Sequence, residues 1–160
     1  MILVTDQTLV ANWVNAQMPF PMDFGPYTAF GFHRDGQMAC GAVFNNFRRM
    51  IYGDRISVTF AAKPGGLTRP ILRAFFSYVF GQPRMIRLES VASVKNLAAL
   101  ELNRRVGFVP EGVARRGWDG KTNAQHFRML RTECKWLGGW RAAPAGKQDG
   151  QERASSPTAT

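Results

Sequence analysis

The 160-residue sequence predicts an α/β domain, a mixed β-sheet of about seven strands with helices on both faces. Three observations predict it. Antiparallel hairpin signals stand early in the chain, a strand–helix–strand–helix unit occupies the middle, and a second hairpin closes the pattern. Apolar residues make up 45% of the chain, enough to bury a core, and the length suits one domain.

Each element has its own signal. "MILVT" (1–5) reads as a short strand. Asp6 caps a helix in which Leu9, Val10, Trp13, Val14 and Met18 recur at helical spacing. Three prolines and a glycine between Met18 and Pro26 make a loop. "TAFGFHR" (28–34), Asp35-Gly36 and "QMACGAVFNNF" (37–47) form a hairpin with a type I′ turn. "RRMIYGD" turns the chain into a strand at 55–62. "KPGGLT" (63–68) then separates that strand from an apolar helix at about 68–80, which Gly81 and Pro83 end. A strand at 84–92 and a helix at 93–106, stopped by Gly107, follow. "FVPEGVARRGW" (108–118), Asp119-Gly120 and 123–137 make the last hairpin. Residues 1–137 are thus the domain. From 138 to 160 the chain is rich in Gly, Ala, Pro, Ser and Gln and is expected to be a disordered tail.

The formal charge of +10 favours anionic partners: a phosphorylated cofactor, nucleic acid or an acidic protein. The basic set Arg104, Arg105, Arg115, Arg116, Lys121, Arg128 and Arg131 is the part that suggests nucleic acid. No interleaved aromatic pattern or helix-turn-helix accompanies it, so a solvated face is the first reading. No apolar run is long enough to cross a bilayer, and the start lacks the layout of a signal peptide, so a cytoplasmic protein without a membrane partner is expected. Cys40 and Cys134 lack metal-ligand spacing and read as buried thiols; no metal is expected. The glycine loop between strand and helix carries chemistry of its own. Backbone N–H groups at a helix start bind anions, phosphate above all.

Three stretches, in order and spanning roughly residues 1–137, resemble the Gcn5-related N-acetyltransferase (GNAT) superfamily. "KPGGLT" is similar to its [Q/R]-x-x-G-x-[G/A] loop, with Lys63, Gly66 and Thr68 at the marker positions. "NLAALELNRRVGF" (96–108) resembles its N-x-x-A-x-x-L-Y-x-x-x-G-F signature through Asn96, Ala99, Leu102, Gly107 and Phe108. The closing stretch resembles the branch that acetylates ribosomal-protein N-termini, through Gly107, Phe108, Glu111, Gly112 and Arg115; Asn123 and Phe127 stand where Asp and Tyr are usual. The two ends of the domain also look like short GNAT proteins of phages and prophages.

The resemblance implies acetyl-CoA as co-substrate and an amine as acceptor, a protein N-terminus or a small amine. It implies that the loop of Lys63, Gly65, Gly66, Leu67, Thr68 and Arg69 holds the pyrophosphate, with Gly66 where a Cβ would block close approach. It places Thr59, Phe60 and Ala61 along the pantetheine and thioester, and Asn96 at the cofactor or at the helix start. The usual general acid is a Tyr, and Asn103 stands in its place. Relatives often carry a Glu base at the position of Val91. Glu89, two residues earlier on the same strand face, becomes the candidate base. Tyr27 and Tyr52 would border the acceptor groove, and His33 and His126 read as structural or exposed. The molecule is expected to be a monomer or homodimer. Two alternatives stay open: a GNAT-fold structural or interaction module of phage type that has lost catalysis, and a GNAT-type enzyme that modifies nucleic acid.

Overall fold

A computed structural model describes residues 1–138. The expected element order is the observed one. It runs β1 (Ile2–Val4), α1 (Gln7–Ala16), β2 (Tyr27–Arg34), β3 (Gln37–Arg49), β4 (Asp54–Ala62), α2 (Arg69–Phe80), β5 (Met85–Ser93), α3 (Leu97–Val106), β6 (Val109–Ala114) and β7 (Ala124–Leu130), then a 3₁₀ turn at Arg131–Glu133. The predicted tail lies outside the described residues except for Gly138.

The strands form one seven-stranded sheet in the order β1-β2-β3-β4-β5-β7-β6. β4 and β5 are parallel, because α2 must carry the chain back across the sheet between them. Every other neighbouring pair is antiparallel. The β2–β3 hairpin turns on Asp35 and Gly36, at φ 54° and 75°, the paired positive values that a type I′ turn needs.

Helices do cover both faces, and β3 shows how. Cys40, Ala42 and Phe44 point into a cluster with Phe75 and Phe76 of α2 and Val106 of α3. Val43 points the other way, against Val10 and Val14 of α1. Alternate strand residues thus feed two separate cores. Gly41 brings α1 close: a Cβ there would stand 3.0 Å from both Val10 Cγ1 and Val14 Cγ2.

Several boundaries differ from expectation. α3 begins at Leu97, because Asn96 caps it, its Oδ1 accepting from Ala99 N at 3.0 Å. β3 continues to Arg49 through a bulge, where Asn46 takes φ 54°. The last hairpin is not closed by a tight Asp119-Gly120 turn. Its strands stop at Ala114 and resume at Ala124. Asp119 instead folds the connecting loop on itself, its Oδ1 accepting from Lys121 N and Thr122 N. After Leu130 the strand yields to the 3₁₀ turn, where Glu133 Oε2 accepts from Leu130 N. Trp136 then docks on α2 and α3, donating from Nε1 to Val106 O at 2.7 Å and stacking on Phe76.

Candidate active site

β4 and β5 stay paired only from Asp54↔Met85 to Ser57↔Glu89. Beyond that both strands continue, β4 to Ala62 and β5 to Ser93, without pairing to each other. The gap becomes a cleft of about 150 Å³. Thr59 and Phe60 line it from β4, Val91 and Ser93 from β5, Asn96 from the cap of α3 and Asn103 from α3 itself. Ala61 belongs to the same stretch of β4, with its side chain buried in the α1 core.

The loop from β4 to α2 is held from two sides. Lys63–Gly66 is a type II turn: Pro64 and Gly65 are its central residues, Gly65 has φ 70°, and Gly66 N donates to Lys63 O at 2.8 Å. Lys63 N donates to Ala39 O on β3, and Lys63 Nζ to Gln37 Oε1. Arg34, at the end of β2, donates to Gly65 O and Pro64 O at 3.1 and 3.2 Å. Gly66 is constrained by the fold itself. Its N–H is engaged in the turn, and a Cβ on it would meet Ala39 O at 2.3 Å, so β3 is what excludes a side chain. The N–H groups of Leu67, Thr68 and Arg69 meet no acceptor among the described residues, and the Thr68 hydroxyl makes no capping bond. Pro70, inside the first turn, has no N–H to lose. Free donors and the positive end of α2 coincide with Arg69, which is exposed.

The cleft has walls that sequence motifs did not point to. Gln17, Met18, Pro19 and Met22 close one side from the end of α1 and the loop after it. Trp118 closes another from the β6–β7 loop, its ring edge-on to Phe20 at 5.6 Å. The only signals for these residues were a proline-rich loop and an aromatic beside a turn. Ser90 is a further omission: it is nearly buried and lines the cleft. Asn103 lines the cleft as well, while its Nδ2 donates to Ala99 O in its own helix at 2.8 Å.

The structure does not bring Glu89 into the cleft. Its Oε1 accepts from Arg55 Nη1 at 2.9 Å and from Arg87 Nε at 2.8 Å. Arg87 also grips Glu111, and Arg128 joins Glu111 to Glu133. The Arg87 guanidinium holds the Glu111 carboxyl below the usual range, and its own protonated form is held more firmly in return. Arg55, Arg87, Glu89 and Glu111 of this array line an open groove on the β5–β7–β6 face, together with His126. Tyr52 is exposed at the β3–β4 turn, and Tyr27 packs edge-on against Phe24. Neither lines the cleft.

No family model and no curated protein matches this sequence. Solved structures do match its fold. A probable acetyltransferase superposes with a TM-score of 0.56 at 20% identity, over 67% of this chain and 62% of that one. The ribosomal-protein-S18-alanine N-acetyltransferase from Escherichia coli gives 0.56 at 17%, over 80% and 92%. A spermidine N-acetyltransferase SpeG variant from Vibrio cholerae gives 0.55 at 16%, over 70% and 69%. The chain spans less than two thirds of the first of these. The fold is therefore the GNAT fold, a mixed sheet parted at β4 and β5. The finer likeness to phage proteins has no counterpart among these structures.

Proposed function

We propose that the chain is an acetyl-CoA-dependent N-acetyltransferase whose acceptor is an amine, a protein N-terminus or a small molecule. One observation carries the reading: the parting of β4 from β5 opens a cleft along Thr59 and Phe60, and the same strand runs on through the Lys63–Gly66 turn to a helix start with unmet N–H groups, in a fold shared with acetyltransferases. Leu67, Thr68 and Arg69 would hold the pyrophosphate, with Gly65 and Gly66 shaping the turn and Lys63 anchoring it. Thr59, Phe60 and Ala61 offer a strand edge along which the amide-bearing arm of the thioester can lie, and Asn96 and Asn103 face it from the cap of α3 and from α3 itself. The thioester supplies the activated acetyl group; the chain orients it and excludes water. Donors fixed around the carbonyl favour the charge that develops on its oxygen.

A second reading, an interaction module without catalysis, gains from the cleft lining, where among the described residues no side chain titrates near neutral pH. Calorimetry with CoA, followed by an acetyl-CoA consumption screen against amines, peptides and nucleosides, separates the two. Wild type should bind CoA and consume acetyl-CoA with at least one amine. Arg69→Glu reverses an exposed charge at the helix start and should weaken CoA binding at least about tenfold without unfolding the chain. Absence of CoA binding by wild type at millimolar ligand would overturn the transferase reading.

A further inference from the structure

Transfer to an amine requires a proton acceptor, and among the described residues that line the cleft there is no titratable side chain to act as one. Its polar side chains are amides and hydroxyls, such as Gln17, Thr59, Ser90 and Asn103. Titratable groups line the neighbouring groove on the β5–β7–β6 face. Two of them are carboxylates, Glu89 and Glu111, and both are bound to guanidinium groups. A carboxylate so paired is a poor base, since its charged form is already stabilised.

Resting on the transferase reading, we infer that His126 accepts the proton of the acceptor amine. His126 is paired directly with Val91, which lines the cleft. Residues opposite each other on antiparallel strands share a face, with Cβ atoms about 4.5–5.5 Å apart. His126 is exposed, and its ring has no hydrogen-bond partner among the described residues. On its other side β6 presents Gly112, where a Cβ would meet nothing within 4 Å, so the ring has room. The charged groups facing it are Glu111 on β6, Glu89 diagonally on β5, and Arg55, Arg87 and Arg128, which pair with those carboxylates. Glu111 and His126 interact favourably when both are charged. Imidazole is suited to the task, because it takes and returns a proton near neutral pH.

The step balances. The amine nitrogen forms a bond to the thioester carbonyl carbon, and the C–S bond breaks. The nitrogen's proton passes to the imidazole, directly or through one water. CoA leaves as the thiolate, which regains a proton from solvent.

The test compares wild type, His126→Gln and His126→Ala from pH 5.5 to 9.5 on an amine that wild type acetylates, with CoA binding measured on each. We expect kcat of both variants to fall about 10²-fold. CoA affinity should not change, the acidic limb of the wild-type pH profile should disappear, and added imidazole should partly restore His126→Ala. A His126→Gln variant with wild-type kcat and the same acidic limb overturns His126 as the base and leaves the transferase reading standing. A wild type that binds CoA and acetylates no amine overturns both.

Discussion

Arg34 and Trp118 touch the site without belonging to any motif, and each can be removed without disturbing a core. Arg34 ties the carbonyl oxygens of Pro64 and Gly65 back toward β2. Two exposed charged hydrogen bonds contribute about 1–2 kcal/mol together. Arg34→Ala should therefore leave folding almost intact, while CoA affinity falls several-fold as the loop loosens; chemical denaturation and calorimetry on one sample check both. Trp118 is half-buried, between the cleft and Phe20. Trp118→Ala should cost less stability than the ~3–5 kcal/mol of a fully buried aromatic. It should raise the acceptor's KM more than that of acetyl-CoA, which steady-state kinetics with each substrate varied in turn resolves. Gly66→Ala is the contrasting case. The Cβ would press on Ala39 O of β3, so stability and CoA affinity should fall together.

At the scale of elements, caps and periodicity were legible and long-range pairing was not. Asp6 and Asn96 stand in the sequence as cap residues, and both accept from the backbone N–H three residues on. Asn96→Ala should lower stability by about 1 kcal/mol and fray the first turn of α3 beside the cleft, measurable as a lower midpoint in urea. The strand–loop–helix at residues 55–80 was likewise readable, because the period changes from alternate to helical across two glycines. What could not be read was where β4 leaves β5. Both strands alternate in character well past Ser57, so nothing local marks the split. The partners of Glu89 were hidden for the same reason: Arg55 is 34 residues away in sequence and becomes a neighbour only through parallel pairing. The proline-rich loop after α1 was legible as a loop, and its role as a cleft wall depends on how α1 lies across β3.

Across the whole molecule, the ion-pair array from Arg55 to Glu133 joins β4, β5, β6, β7 and the closing 3₁₀ turn. Glu111 is held below the ordinary carboxylate range in the folded chain, so its contribution is present above its unfolded pKa and is lost as pH falls through the folded value. Thermal midpoints should drop on acidification below about pH 4.3, the unfolded glutamate value, and Glu111→Gln should flatten that dependence. Burial pushes the Cys40 thiol up to about 11 and raises Cys134 as well, so both should resist thiol reagents at pH 8 until the chain unfolds. The parting of β4 and β5 also places two sheet edges inside the molecule. An interior edge has the same unmet N–H and C=O groups as an exterior one. Amide hydrogens that point from Val58–Ala61 and Ser90–Ser93 into the gap should therefore exchange with deuterium much faster than those of Asp54–Ser57, although the side chains around them are largely enclosed. Saturating CoA should slow that exchange selectively. The pattern of protected amides would then trace, residue by residue, how far a ligand lies along the gap as a substitute strand.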